Sequence, residues 1–170
     1  HSLLQRYPSL RKTLPIAPLG RFPTPVERSR GLEEALGLSE IWVKRDDLSG
    51  ELYGGNKVRK LELLFGQALK NHRSWVVTAG AWGSHHVLAT SIFGRHLGIR
   101  IGAVLCPQPK TPHVLENLLC THGSGTIITP VSSQAAVSPA LTLATLRRRA
   151  MLVLPGGSSP LGALSFAGAA

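Results

Sequence analysis

The stretch GGNKVRKLE, residues 54 to 62, predicts a helix that begins directly after a glycine pair. Gly54 and Gly55 tolerate backbone conformations that other residues resist, and Asn56 is a favourable N-cap residue. Apolar residues then recur with the spacing of one buried helical face, at positions 58, 61, 64, 65, 68 and 69. The pattern therefore places Lys57 in the first turn of the helix.

Lys57 is the first candidate for covalent chemistry. The positive end of the helix dipole and the neighbouring cations Arg59 and Lys60 disfavour a charged amine, so they are expected to lower the pKa of Lys57. A deprotonated amine is a nucleophile that condenses with aldehydes. These residues alone leave a second interpretation open, in which Lys57 is an ordinary solvated lysine. A P-loop is excluded, because its first glycine is missing and asparagine precedes the lysine.

The composition is that of a globular protein. The chain has 170 residues, which suits one domain or one small domain plus part of another, and 43% of them are hydrophobic. No apolar run approaches the length of a membrane span. Cys106 and Cys120 stand in neither a CxxC pair nor a metal-binding spacing, which predicts free, buried thiols in a reducing, cytoplasmic compartment.

The charge balance is strongly basic. Lysine and arginine number 19 against 9 acidic residues, a net charge of +10, and beyond Glu62 the sole acid is Glu116. Nucleic acid is nevertheless disfavoured as a partner, because the bases are dispersed apart from residues 147 to 149 and aromatic residues make up 5%. The surplus also fits a piece of a longer protein whose other part carries the balancing acids. The first residue, His1, also suggests a fragment or a processed product.

The first part of the chain is predicted to be an irregular arm followed by a helix. Residues 1 to 26 are rich in proline and should lie over the surface without regular structure. VERSRGLEEALG, residues 26 to 37, is expected to form a helix that ends at Gly37. The apolar residues assigned to its inner face are Val26, Leu32, Ala35 and Leu36.

IWVKRDDL, residues 41 to 48, predicts a strand that ends at Ser49 and Gly50. Its acids, Asp46 and Asp47, are candidates for a metal or proton site. Adjacent carboxylates project in divergent directions, so turn formation and salt bridges are favoured for this pair.

Four short β-rich runs alternate with helical stretches in the rest of the chain. The runs are residues 75 to 80, 99 to 106, 125 to 129 and 151 to 155, and the helical stretches are residues 84 to 97, 112 to 121 and 133 to 149. This alternation predicts an α/β fold with an open parallel sheet and flanking helices. Ligands of such sheets bind at the carboxyl ends of the strands. The candidate site walls are therefore AGAWGSHH (79 to 86), PQPKTP (107 to 112) and PGGSSPLG (155 to 162).

The first of these walls carries the most informative side chains. Ser84 is the expected N-cap of the next helix; either its hydroxyl and the free N–H groups bind an anion, or the serine only caps the helix. A hydrolase nucleophile elbow is disfavoured, because Trp82 replaces a glycine and Glu116 is the sole acid downstream. His85 and His86 face different ways on a helix, so lining a site is favoured over binding a metal. The third wall fits a phosphate cradle or a polar turn.

Together, these motifs resemble a family of cofactor-dependent enzymes. KRDDL (44 to 48), GGNKVRKLE, TAG with a Ser-His-His turn, and GGSSPLGAL (156 to 164) occur in the order found in pyridoxal-phosphate enzymes of the 1-aminocyclopropane-1-carboxylate deaminase and D-cysteine desulfhydrase group. The resemblance runs from about Thr24 to the C-terminus. It implies the tryptophan-synthase-β-like fold, pyridoxal 5'-phosphate as cofactor and a small amino acid as substrate. It also implies truncation, since the second half of the large domain, with its phosphate loop, is missing.

The resemblance also implies roles for individual residues. Lys57 would hold the cofactor as a Schiff base and move protons at the substrate carbon, and Asn56 matches the family residue that precedes this lysine. Ser84 matches a serine that assists chemistry on the substrate. His85 stands where the family usually has an asparagine that meets the cofactor's ring hydroxyl, a departure that puts the electronics of the cofactor in question. His86 matches a substrate-side position that is often histidine in the desulfhydrases and glutamine in the deaminases.

The resemblance further divides the chain into three segments. Residues 1 to 57 would begin the large domain, residues 58 to 150 would form the small α/β domain, and residues 151 to 170 would return to the large domain. Members of the family are often oligomeric, which the resemblance implies here too, although no interface can be recognised in the sequence.

Two classes of function follow from this sequence. The first is a pyridoxal-phosphate lyase or deaminase that releases ammonia from a small amino acid, together with sulfide if the substrate is a thiol amino acid. The second is a catalytically silent fragment that serves as a basic binding or assembly module. Absorbance of the chain with pyridoxal phosphate separates the two, and steep salt dependence of DNA binding would favour the second.

Overall fold

A computed structural model describes Leu4 and residues 6 to 167 of this chain, apart from the side chain of Arg11. The remaining residues of the predicted arm and the last three residues lie outside the described part. From Pro8 the arm contains one 3-10 turn, Pro8–Lys12, and then runs irregularly as predicted. It is held by the backbone of the lysine helix, because Glu62 O accepts from Ala17 N at 2.9 Å.

The predicted helix at residues 26 to 37 is shorter than expected. Val26–Arg28 forms strand β1, which pairs antiparallel with β2 (Trp42–Lys44), and helix α1 spans Arg30–Leu36 between them. The expected inner face is wrong, because all four of its residues are exposed: Val26, Leu32, Ala35 and Leu36. Glu33 is the buried residue of α1. Its carboxylate is satisfied there, because it accepts from Arg28 Nε at 2.8 Å and from Ile41 N at 2.9 Å.

The strand predicted at residues 41 to 48 ends early, because a 3-10 turn at Asp46–Leu48 follows β2. The expected turn and salt bridges of the two acids are confirmed. Asp46 pairs with Arg59 at 2.7 Å, and Asp47 pairs with Arg45 at 2.8 Å.

Helix α2, Lys57–Lys70, begins at the predicted residue. Five of the six predicted face residues are buried in one core cluster, whereas Leu69 is 43% exposed. The helix is also buried on flanks that the apolar pattern did not include, among them Arg59 and Glu62. This happens because the N-terminal arm covers one side of α2 and the C-terminal segment packs on another.

The predicted parallel sheet is confirmed. Its four strands lie in the order β5-β4-β3-β6, and every neighbouring pair is parallel. The strands are β3 (Trp75–Ala81), β4 (Arg100–Cys106), β5 (Ile127–Pro130) and β6 (Met151–Leu152). The connecting helices are α3 (His85–His96), α4 (Pro112–Gly123) and α5 (Val137–Arg148).

The C-terminal segment closes over α2. After β6 a 3-10 turn at Pro155–Gly157 and helix α6 (Pro160–Leu164) follow, and α6 packs on α2. The order of the strands brings the three predicted walls to one edge of the sheet, because β3 lies between β4 and β6. The division of the chain at residues 57 and 150 stays a prediction.

The two cysteine thiols of this chain differ in exposure. Both thiols are free, but Cys106 is buried and Cys120 is exposed, so burial of the second thiol was predicted wrongly. No helix in the described part of the chain has the length and apolar character needed to span a bilayer.

Candidate active site

Lys57 is the first residue of α2, and a tight turn of the preceding chain places it there. Gly55 has a φ of 104° and its N–H donates to Asp46 O at 2.7 Å. Gly54 lies so close to the backbone of Asp47 that a Cβ would come within 1.9 Å of the Asp47 oxygen. Asn56 occupies the N-cap position as predicted, but its side chain makes no capping hydrogen bond. The backbone around the glycine pair thus determines where the helix begins.

The pKa of Lys57 is lowered as predicted, although the causes differ in part. Burial of the half-exposed amine is the larger cause, and the charge of Lys60 is the second. Arg59 was expected to contribute, but its guanidinium is buried on Asp46. The result is an amine that loses its proton more readily than a solvated lysine does.

Ser84 is the N-cap of α3, as the sequence predicts. Its backbone is extended, with a φ of −65° and a ψ of 113°, and its Oγ accepts from Val87 N at 3.3 Å. Gly80 makes this position accessible, because a Cβ there would come within 2.7 Å of the serine Oγ. The serine hydroxyl therefore lies at the carboxyl end of β3, where the parallel sheet presents its loops.

His86 is a buried, neutral imidazole close to two lysines. The residue is 4% exposed, and its Nε2 lies 3.0 Å from Thr78 Oγ1. Burial lowers the pKa of His86 to about 4, and the charges of Lys57 and Lys60 contribute to the lowering. Its Nδ1 is buried without a hydrogen-bond partner among the described residues. A buried polar nitrogen without a partner is uncommon in folded proteins.

The protonation of His86 should make stability depend on pH. Unfolding restores an imidazole pKa near 6.5, so below that pH the unfolded chain binds a proton that the folded chain rejects. The stability that the neutral His86 imidazole contributes is present above pH 6.5 and is lost as the pH falls towards 4. We expect the free energy of unfolding in urea to drop by about 2 kcal/mol from this group between pH 7 and pH 4.5.

The matched control for that measurement is the difference between two substitutions. His86→Gln should remove this part of the pH dependence, whereas His122→Gln, at an exposed position in α4, should retain it. Equal pH dependence in both variants would contradict the assignment of a depressed pKa to His86.

His85 faces away from His86, as expected for adjacent residues on a helix, and its side chain is exposed. Its Nδ1 lies 2.5 Å from Tyr53 Oη, and its Nε2 lies 2.9 Å from Nε2 of His113. Both ring nitrogens are therefore engaged by side chains of the chain itself. The described residues contain no group of three or more His, Cys, Asp and Glu side chains that could hold a metal ion.

Tyr53, His113 and Asn117 are site neighbours that the sequence interpretation missed. Tyr53 immediately precedes the glycine pair, and His113 follows the second predicted wall by one residue. Asn117 lies one helical turn after His113, and its amide donates to Gly83 O at 2.9 Å. Their position in sequence, close to the predicted site segments, could have drawn attention to these residues. Nothing in the sequence, however, showed that their side chains lie beside His85.

The third wall behaves as a polar turn. Ser159 Oγ accepts from Gly162 N at 3.1 Å and so caps α6. Lys60 Nζ donates to Gly156 O at 3.0 Å, which ties this wall to the lysine helix. Of the two interpretations left open by the sequence, the described contacts account for the turn.

An apolar groove of about 600 Å³ lies beside the site at the same edge of the sheet. It runs between Trp82 and the first turns of α4, with Lys110 at its wall. Neither Lys57 nor His85 lines it. The groove is therefore distinct from the candidate residues Lys57 and His85.

Comparison with known proteins decides the family. Residues 17 to 116, more than half of the chain, match the family described as pyridoxal-phosphate dependent enzyme. This chain belongs to that family. The family depends on pyridoxal phosphate, as the resemblance of the motifs implied, and the tryptophan-synthase-β-like α/β fold is confirmed by the structural matches described next.

The pyridoxal-phosphate family relatives are about twice as long as this chain. Nocardicin C-9' epimerase of Nocardia uniformis subsp. tsuyamanensis is 34% identical over 162 residues, which cover 91% of this chain and 48% of the epimerase. D-cysteine desulfhydrase of Salmonella paratyphi B is 37% identical over 156 residues, covering 85% of this chain and 46% of that enzyme. The chain thus spans about half the length of the curated relatives it matches.

Solved structures agree with this fold. A 1-aminocyclopropane-1-carboxylate deaminase homologue superimposes with a TM-score of 0.81 at 28% identity, covering 95% of this chain and 50% of that one. An L-serine ammonia-lyase from Rhizomucor miehei superimposes with a TM-score of 0.63 at 16% identity, covering 85% of this chain and 43% of that one, which shows the shared fold alone.

Proposed function

We propose that this chain is part of a pyridoxal-phosphate-dependent lyase or deaminase that releases ammonia from a small amino acid. The reaction would be of the D-cysteine desulfhydrase or the 1-aminocyclopropane-1-carboxylate deaminase type. Relatives that carry these names support the proposal. The observation that carries it is the Lys57 amine, which has a lowered pKa and begins a buried helix whose Lys60 donates to Gly156 O after β6.

The residues around Lys57 fit the cofactor in charge and in polarity. Pyridoxal phosphate, when bound, supplies the electron sink for bond cleavage at the substrate's α carbon. The lowered pKa of Lys57 suits an amine that must react with an aldehyde and afterwards accept or return a proton at the substrate carbon. The unpartnered Nδ1 of His86, held near the lysine charges, offers a hydrogen-bonding atom to the cofactor or to the substrate.

We assign the remaining predicted residues on the same basis. Ser84 would contact the substrate through its hydroxyl, which the N-cap geometry holds at the carboxyl end of β3. Asn56 and His85 would contact the cofactor, and His85 and His86 would also border the substrate. In its described position His85 has both ring nitrogens engaged, so it would act together with its partners Tyr53 and His113.

The decisive experiment is reductive trapping. Pyridoxal phosphate is added to the chain, visible absorbance is recorded, the sample is reduced with borohydride, and the labelled peptide is located by mass spectrometry. We expect a stable adduct on Lys57 and its complete loss in Lys57→Ala. Lys70→Ala is the matched control, because Lys70 is an exposed lysine in the last turn of the same helix.

Two results would contradict the proposed function. An adduct spread over surface lysines and unchanged in Lys57→Ala would mean that Lys57 has no special reactivity. A complete absence of an adduct, with ordered circular dichroism, would favour a silent fragment instead. In that case salt-dependent binding of DNA should be measured, because the net charge of +10 permits it.

A further inference from the structure

A row of hydrogen-bonding side chains links the loop before Lys57 to helix α4. Tyr53 Oη lies 2.5 Å from His85 Nδ1, and His85 Nε2 lies 2.9 Å from His113 Nε2. Asn117 Nδ2 lies 3.4 Å from the same His113 nitrogen. His113 and Asn117 occur four residues apart, so they share one face of α4.

The positions of the hydrogens in this row follow from the chemistry of Asn117. A backbone carbonyl only accepts, so the amide atom that lies 2.9 Å from Gly83 O must be the nitrogen. That nitrogen only donates, so the 3.4 Å contact is a hydrogen bond when Nε2 of His113 is unprotonated and shares its one lone pair between Asn117 and His85, which favours Nε2 of His113 as the acceptor. Because His113 Nε2 carries no hydrogen, the hydrogen between the two imidazoles belongs to His85 Nε2.

The hydrogens at both ends of the row are fixed in the same way. A neutral His85 with a hydrogen on Nε2 has a lone pair on Nδ1, so Tyr53 must donate its hydroxyl hydrogen there. Burial and the charge of Cys120 raise the pKa of Tyr53, which keeps that hydroxyl protonated. His113 then carries its hydrogen on Nδ1, the nitrogen that lies 4.0 Å from the Glu116 carboxylate.

We propose that His113 is a positioning residue that, with Asn117, holds His85 as its Nε2–H tautomer and so directs the Tyr53 hydroxyl hydrogen to His85. The place of this row beside the cofactor rests on the proposed function. The row engages both ring nitrogens of His85 and leaves the lone pairs of the Tyr53 oxygen for a polar ligand. His85 would therefore differ in kind from the family asparagine that stands at its position, because its hydrogen-bonding capacity is used within the chain.

The tautomer can be read without any cofactor. The chain is labelled with ¹⁵N-histidine and studied by NMR at pH 8, above the ordinary imidazole pKa of about 6.5. We expect the Nδ1 of His85 to be unprotonated and its Nε2 to carry the hydrogen. A hydrogen on Nδ1 of His85 in the unsubstituted chain would overturn the proposal directly.

Substitutions test whether His113 sets that tautomer. His113→Phe removes the acceptor, so a sizeable fraction of His85 should change to the Nδ1–H form. His113→Gln supplies an amide oxygen as acceptor and should restore the Nε2–H form. Tyr53→Phe should leave the Nε2–H form in place, because His113 and Asn117 remain, and His122→Phe on the same helix should change nothing.

These variants also separate a positioning role from a structural one. His113 and His122 are exposed and Tyr53 is half-buried, so circular dichroism should show all four variants folded. An unchanged His85 tautomer in His113→Phe would refute the positioning role, whatever the variant does to stability.

A last measurement places the row in the site. Pyridoxal phosphate should shift the His85 resonances and leave those of His122 unmoved. If Lys57 is trapped by borohydride while His85 does not move, the row lies outside the site and that part of the inference fails. If Lys57 is not trapped, the proposed function fails, but the tautomer measurements still decide the role of His113.

Discussion

Replacing Arg59 with methionine is expected to lower the free energy of unfolding by about 3 to 5 kcal/mol. Arg59 is 1% exposed, and its guanidinium donates to Asp46 from Nε at 3.0 Å and from Nη2 at 2.7 Å. Thr24 Oγ1 donates to the same carboxylate at 2.8 Å. The pKa of Asp46 is lowered chiefly by its hydrogen bonds from Arg59. Methionine would leave this partly buried carboxylate charged without its main partner.

A double-mutant cycle distinguishes the loss of pairing from the loss of packing. Because each single substitution strands one charge, Arg59→Met combined with Asp46→Asn should cost less than the sum of the two single changes. Urea unfolding of the four chains measures this coupling. Arg95→Met is the control, since Arg95 is an exposed arginine that donates to Gly123 O at 2.8 Å, and it should cost less than about 1 kcal/mol. Additive losses in the cycle would argue against a coupled pair.

Gly54→Ala should be the most disruptive small substitution near the site. The added Cβ would meet the backbone of Asp47, with its oxygen at 1.9 Å and its carbonyl carbon at 2.9 Å. Backbone atoms cannot rotate away as a side chain end can, so the turn before Lys57 must shift. We expect a loss of about 3 kcal/mol or more in the free energy of unfolding, at the upper end of the usual cost of overpacking.

The same substitution should also affect the chemistry, because the displaced turn carries Lys57. The yield of the borohydride-trapped adduct on Lys57 should fall along with stability, even at temperatures where the variant remains folded. Gly123→Ala is the matched control: a Cβ there meets nothing within 4 Å, so stability and trapping should be unchanged or slightly improved. A Gly54→Ala chain as stable and as reactive as the Gly123→Ala chain would contradict the described turn.

The sheet and the lysine helix could be predicted from local patterns because their residues repeat at the spacing of the structure they form. The four β-rich runs became the strands of one parallel sheet, and α2 begins at the predicted Lys57. The predictions of buried residues failed where another segment of the chain does not pack over the apolar side chains. Leu32 and Leu36 have a helical spacing, yet both are exposed, since α1 is anchored through the carboxylate of Glu33.

The sequence by itself determined the α/β class, the start of the lysine helix, the cap at Ser84 and the family motifs, since these depend on residues close together in the chain. Tertiary structure alone decided that Arg59 pairs with Asp46, that burial lowers the pKa of Lys57 and of His86, and that Tyr53 and His113 meet His85. The physical reason is that burial and side-chain hydrogen bonds depend on which distant segments pack together. Residue spacing within one segment carries no such information.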